Sequence, residues 1–105
     1  MNDGAAGPRH GTAIDRVRWA AIEARGVTDA ALRRAVYDAA AQPPPLGPYL
    51  DKVREQAWTI TDEDIGALQA AGYSEDAILE LTVAAAAGAA GRRYDAALRA
   101  LRGDG

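Results

Sequence analysis

Apolar residues recur every three or four positions along most of the chain, which is the pattern of amphipathic helices. The pattern is longest in residues 74–101, where no proline interrupts it. Ser74 is a good N-cap, and Glu75 and Asp76 place negative charge at the positive end of the helix dipole. This segment therefore predicts one helix of roughly 40 Å.

Only alanine and glycine occupy residues 84–91, in the middle of that helix. A glycine inside a helix costs about 1 kcal/mol relative to alanine, so Gly88 and Gly91 need a structural reason. The simplest reason is a second backbone packed very close to the helix. We expect four of these small residues to form a contact between subunits: Ala84, Ala85, Gly88 and Gly91.

The N-terminal part of the chain predicts a tail followed by two helices. Residues 1–11 are rich in glycine and predict a disordered tail. Thr12 can cap a first helix over residues 13–25, and Gly26 is suited to end it. A second helix is expected from Thr28 to about residue 41.

A proline-rich stretch follows at residues 43–48. We expect the second helix to end before it, because successive prolines stop a helix and restrict the residue before them. The stretch predicts a stiff connector, with Pro48 at N1, the first position of the next helix. The alternative is a ligand for a proline-binding domain, in which Pro45 and Pro48 form a PxxP pair.

Two shorter helices are expected between this connector and the long last helix. The third runs from Pro48 to about Trp58, with Trp58 in the core. The fourth follows Thr61 and ends at Gly72; Thr61 and Asp64 have the spacing of a capping box.

The pattern as a whole predicts an all-α fold, a compact five-helix domain that forms oligomers. A single domain covers residues 12–105, because 105 residues suffice for one modest core. Its parts are an N-terminal helix pair (12–42), the proline connector (43–48) and a C-terminal half (49–102).

Composition excludes several kinds of chemistry. The chain has no cysteine and one histidine, His10, so thiol catalysis and most zinc sites cannot be built, and we expect neither metal nor cofactor. A net charge of −3 gives no footprint for nucleic acid. The apolar run around Ala84 is too short to span a membrane, and Glu80 interrupts it. Residues 1–12 lack the apolar region of a signal peptide, which favours a cytoplasmic protein.

Three charged residues of the last helix are weak candidates for catalysis or binding. Arg92 and Arg93 could hold a carboxylate or phosphate, or they could form ion pairs with neighbours such as Asp95. Glu80 lies beside the apolar stripe and could act as a general base if its pKa were raised. It could equally be paired with an arginine or exposed.

Residues 60–80 resemble the carboxymuconolactone decarboxylase / alkylhydroperoxidase D-like superfamily. The resemblance rests on a short helix, then Ala-Ala-Gly-Tyr-Ser at residues 70–74 and Ile-Leu-Glu at residues 78–80, then a long helix of small residues. Arg93 lies where many peroxidase-related members have the arginine of an Asn-Arg pair, and Arg92 replaces the asparagine. The similar region as a whole runs roughly from Asp51 to Leu101, about half of the chain.

The resemblance implies an all-α fold that assembles as trimers, hexamers or related rings. Redox members of that superfamily use a Cys-x-x-Cys pair, a following histidine and a glutamate for proton relay. This chain lacks the cysteines, so peroxide reduction by thiol chemistry is excluded. The decarboxylase branch needs no cysteines, but it relies on histidine and arginine residues that cannot be assigned to positions of this sequence.

The leading hypothesis is a non-catalytic, alkylhydroperoxidase D-like helical module that self-associates and serves as a structural or partner-binding subunit. The alternative is a cysteine-free enzyme of the same family, with Arg92 or Arg93 anchoring a small carboxylated substrate and Glu80 as the base. A third hypothesis is an adaptor that docks on a larger protein through residues 43–48.

Overall fold

The computed structural model describes residues 18, 21 and 22 and residues 26–103. They contain a short 3₁₀ turn (Ala57–Thr59) and four longer helices: α1 (Ala30–Tyr37), α2 (Leu46–Glu55), α3 (Asp62–Ala70) and α4 (Glu75–Arg102). These described residues include no β-strand, so the all-α prediction is confirmed for them. The predicted tail and most of the first predicted helix lie outside the described residues, and the count of five helices stays a prediction.

The long last helix, α4, forms as the sequence predicts. The Ser74 hydroxyl accepts a hydrogen bond from the backbone N–H of Ala77 at 3.1 Å, so the predicted N-cap is present. The helix continues for 28 residues to Arg102. Gly103 ends it with a φ of 76°, a conformation that glycine adopts without strain.

Helix α3 is fixed at both ends by local hydrogen bonds. The side chains and backbones of Thr61 and Asp64 form the predicted capping box. At the other end the backbone N–H of Tyr73 donates to the carbonyl of Leu68 at 3.1 Å. Gly72 between them has a φ of 103°, which completes a Schellman motif.

Helix α1 ends earlier than the sequence predicts. It stops at Tyr37 and does not reach residue 41, because Ala39 turns into the left-handed region with a φ of 62°. The N–H of Ala40 donates to the carbonyl of Ala35 at 2.9 Å, and the N–H of Ala39 to that of Val36 at 3.1 Å. This is a second Schellman motif, but with alanine in the place that glycine usually takes.

Helix α2 is also displaced from its predicted bounds. It begins at Leu46, two residues before the predicted start at Pro48. Pro48 is therefore the third helical residue and not the first, and it fits there because the first-turn N–H groups of a helix have no partner within it. It ends at Glu55, and Trp58 lies in the 3₁₀ turn with 81% of its surface exposed. The prediction that Trp58 enters the core is wrong.

The core is built where α1 and α2 pack on α4. Its buried members come from all four helices: Val36, Leu46, Tyr49, Leu50, Leu68, Ile78, Leu81, Ala84 and Ala85. A smaller buried cluster consists of Ala21, Ile22, Tyr37 and Ala87. On α4 the bulky core residues, Ile78 and Leu81, lie in the N-terminal half, and the small residues that follow them allow the close helix crossing described next.

Candidate functional site

The end of α1 crosses α4 at its two glycines. A Cβ atom placed on Gly88 would overlap the carbonyl oxygen of Tyr37, and one on Gly91 would lie 2.9 Å from the Tyr37 hydroxyl. The close backbone approach that the sequence predicts is therefore present. It is made within one chain, by the end of α1.

The alanines that precede these glycines are also buried inside the chain. Ala84 and Ala85 have no exposed surface, and Gly88 and Gly91 are buried. The packing of α4 against the core explains why small residues stand at all four positions. Their predicted role in a contact between subunits stays untested, and the exposed surface of α4 lies on its other side.

Glu80 holds the backbone that leads into α1. Its carboxylate accepts hydrogen bonds from the N–H of Val27 at 2.7 Å, from the N–H of Thr28 at 3.0 Å and from the Thr28 hydroxyl at 2.7 Å. Gly26 passes so close that a Cβ there would lie 2.6 Å from the carboxylate oxygens. The side chain therefore anchors the 26–28 segment to α4.

Partial burial of the Glu80 carboxylate raises its pKa, but hydrogen bonds from Val27 and Thr28 and the charge of Arg33 lower it more, so the net shift is downward. A carboxylate with a lowered pKa is a weaker base, and its oxygens already have donors. These contacts favour a structural role; catalysis by Glu80 stays a prediction.

Arg92 and Arg93 each donate to the last turn of a neighbouring helix. Arg92 Nη1 donates to the carbonyl of Tyr37 at 2.6 Å, and Arg93 Nη2 to the carbonyl of Arg54 at 2.7 Å. Arg54 Nη2 in turn donates to the carbonyl of Val36 at 3.0 Å. Arginines at these positions satisfy C-terminal carbonyls and complement the negative end of each helix dipole. The three side chains tie the ends of α1 and α2 to the middle of α4.

A cavity of about 340 Å³ lies between these arginines. Arg54, Arg92 and Arg93 line it together with Ala39 and Glu55. Burial lowers the pKa of Arg54 below its ordinary value, and the charge of Arg92 lowers it further, against the opposing effect of Asp51. Each guanidinium already donates to a backbone carbonyl, so the structural role is accounted for. Anion binding at Arg92 and Arg93 stays a prediction.

The side of α4 that faces away from the core carries a continuous apolar surface, which we call the outer face. Its seven residues are all exposed: Leu79, Val83, Ala86, Ala90, Tyr94, Ala97 and Leu101. The large members are 62% exposed at Leu79, 48% at Val83, 43% at Tyr94 and 84% at Leu101. The face is roughly 33 Å long at 1.5 Å per residue. A groove lined by Tyr49, Ile65, Ile78 and Thr82 borders its N-terminal end.

The outer face could be recognised in the sequence only in part, because α4 has apolar residues on two sides. Leu79, Val83, Tyr94 and Leu101 recur at helical spacing, but the buried stripe of the same helix is also apolar. Both stripes together make α4 look apolar nearly all round, which by itself is typical of a buried helix. Only the placement of α1 and α2 distinguishes the buried stripe from the exposed one. The contacts of Arg54 with α1 and α4 had no signal in the sequence, because those two partners lie 18 and 39 residues away.

Within residues 26–103 and the three described positions before them, no cluster of acidic, histidine or cysteine side chains is arranged to hold a metal ion. In the same part of the chain even α4 lacks the unbroken apolar stretch that a bilayer-spanning helix needs. No protein-family model matches the chain, and neither a curated protein nor a solved structure does. The resemblance to the alkylhydroperoxidase D-like superfamily stays a prediction.

Proposed function

We propose that this protein is a non-catalytic, alkylhydroperoxidase D-like helical module that self-associates and serves as a structural or partner-binding subunit. The observation that carries the proposal is the outer face of α4. Four large apolar side chains (Leu79, Val83, Tyr94 and Leu101) are exposed along one side of one helix. Contiguous exposed apolar surface of this kind is typical of protein–protein contacts.

The contacts of the charged candidates support the non-catalytic half of the proposal. Glu80 anchors the 26–28 segment, and Arg92 and Arg93 hold the ends of α1 and α2. A general base works best when its pKa lies near the working pH. The Glu80 carboxylate accepts three hydrogen bonds and has a lowered pKa.

Light scattering and native mass spectrometry on the intact chain, from about 1 to 100 µM, test self-association. We expect a discrete oligomer in the upper part of this range, because contact between outer faces removes the large apolar side chains from water. A monomer at every concentration would refute the proposal.

A matched pair of substitutions locates the contact. Ala90 is at the centre of the outer face and Ala31 is exposed on α1, so Ala90→Glu and Ala31→Glu make the same change at two exposed helix positions. We expect Ala90→Glu to give a monomer with unchanged circular dichroism, since it buries a carboxylate in the contact. Ala31→Glu keeps the oligomer. An Ala90→Glu variant that assembles like the wild type would show that the outer face is not the contact.

A further inference from the structure

We propose that the occupant of the outer face is a second copy of this chain, with the two α4 helices antiparallel and the twofold axis passing beside Ala90. This inference rests on the proposed self-association and adds the orientation and register of the contact. Three independent features of the outer face lead to it: its spacing, the sizes of its side chains and the charges at its ends.

The spacing of the outer face reads the same in both directions. Successive members from Leu79 to Leu101 are separated by 4, 3, 4, 4, 3 and 4 residues, with Ala90 at the centre. A rotation of 180° about an axis beside Ala90 therefore brings every member level with another member. Twofold contacts require such self-complementarity, because each surface patch must match its own copy.

Side-chain sizes favour the antiparallel arrangement. It places Val83 of one copy level with Ala97 of the other, and Tyr94 level with Ala86. Between the two ends of the face, where Leu79 lies level with Leu101, large residues therefore face small ones, which lets the two helices approach closely. A parallel pair in register would instead set Tyr94 against Tyr94 and Ala86 against Ala86, which leaves a gap between two crowded levels.

The charges at the two ends of α4 favour the same orientation. Glu75 and Asp76 lie in the first turn, and Arg99 and Arg102 in the last. An antiparallel pair brings the acidic end of each copy to the basic end of the other and aligns the two helix dipoles favourably. A parallel pair would place Glu75 and Asp76 beside their own copies, which repel.

Distances between two spin labels on the assembled chain test this geometry. The chain contains no cysteine, so a single introduced cysteine carries the only label. We choose Glu75→Cys and Ala100→Cys, which are exposed positions outside the outer face, 15 and 10 residues from Ala90. Pulsed dipolar spectroscopy on each variant at about 100 µM gives the separation between the copies.

For the proposed register we expect roughly 45 Å for Glu75→Cys and roughly 30 Å for Ala100→Cys, since each label lies its own axial distance from the twofold axis. Distances under about 20 Å for both labels would show a parallel pair and overturn the inference. If one distance is longer than expected and the other is shorter by the same amount, the helices are antiparallel in another register. That result would also overturn the inference.

The experiments distinguish a failure of the proposed self-association from a failure of the proposed orientation and register. A dimer by native mass spectrometry with other distances refutes only the orientation or register, and self-association stands. A trimer or ring without the twofold contact likewise refutes only this inference. A monomer by mass with no dipolar signal refutes both. The Ala31→Cys variant, with its label on α1, confirms that labelling itself leaves the mass of the assembly unchanged.

Discussion

Replacing Gly88 with alanine tests the helix crossing that organises the fold. An alanine inside a helix is normally favourable, and the change alone would stabilise α4 by up to about 1 kcal/mol. At this position the new methyl group overlaps the carbonyl oxygen of Tyr37. That oxygen belongs to the backbone, so α1 itself has to move.

The cost of that movement follows from what Tyr37 contacts. Forcing a methyl group into a packed site costs about 1–3 kcal/mol. Moving the Tyr37 carbonyl also strains its 2.6 Å hydrogen bond from Arg92, and bonds to charged groups contribute about 1.5–3 kcal/mol. After the gain in helix propensity is subtracted, we expect a net loss of roughly 2–4 kcal/mol. For a chain of this size the urea midpoint falls by on the order of 2 M.

Urea unfolding followed by circular dichroism, at one protein concentration for all variants, measures this effect. Gly66→Ala is the matched control, because Gly66 lies inside α3 and a Cβ there meets nothing within 4 Å. We expect Gly66→Ala to stabilise the protein by up to about 1 kcal/mol. Gly91→Ala should lie between the two, since its neighbour is the end of the Tyr37 side chain. If Gly88→Ala stabilises the protein as Gly66→Ala does, the crossing is not as described.

Three further predictions concern single contacts. Ala39→Gly should raise the free energy of unfolding by up to about 1 kcal/mol in the same urea assay, because the left-handed φ of 62° strains alanine; an unchanged or lower value contradicts this. Glu80→Gln should lower the free energy of unfolding by about 1–3 kcal/mol. A double-mutant cycle with Thr28→Val isolates the hydrogen bond from the Thr28 hydroxyl to Glu80, and zero coupling energy would exclude that bond. The hydrogen bond from Lys52 lowers the pKa of Asp64, so its stabilisation is present above the ordinary carboxyl pKa and is lost as pH falls through the lowered one. Asp64→Asn should therefore flatten the pH dependence of stability below about pH 4, and an identical acid limb would contradict it.

Local sequence determined two of the four helix starts, those of α3 and α4, and one stop. Ser74 caps α4, Thr61 and Asp64 form the capping box of α3, and Gly72 ends it, all as predicted. These signals work because each involves residues within a few positions of one another, so their spacing fixes their geometry. The predicted end of α1 near residue 41 was wrong, because alanine has no local preference for the left-handed conformation that Ala39 adopts.

The tertiary structure alone decided what the long helix does with its two apolar stripes. The sequence indicated that a backbone must pass Gly88 and Gly91, but the identity of that backbone depended on contacts more than 50 residues apart along the chain. Because α1 occupies the side with the glycines, Leu79, Val83 and Leu101 are left on the exposed side. The roles of Glu80 and Arg92 were decided in the same way, since their partners come from the other end of the chain. Spacing along one helix records which residues share a face, and only the packing of other helices determines which face is buried.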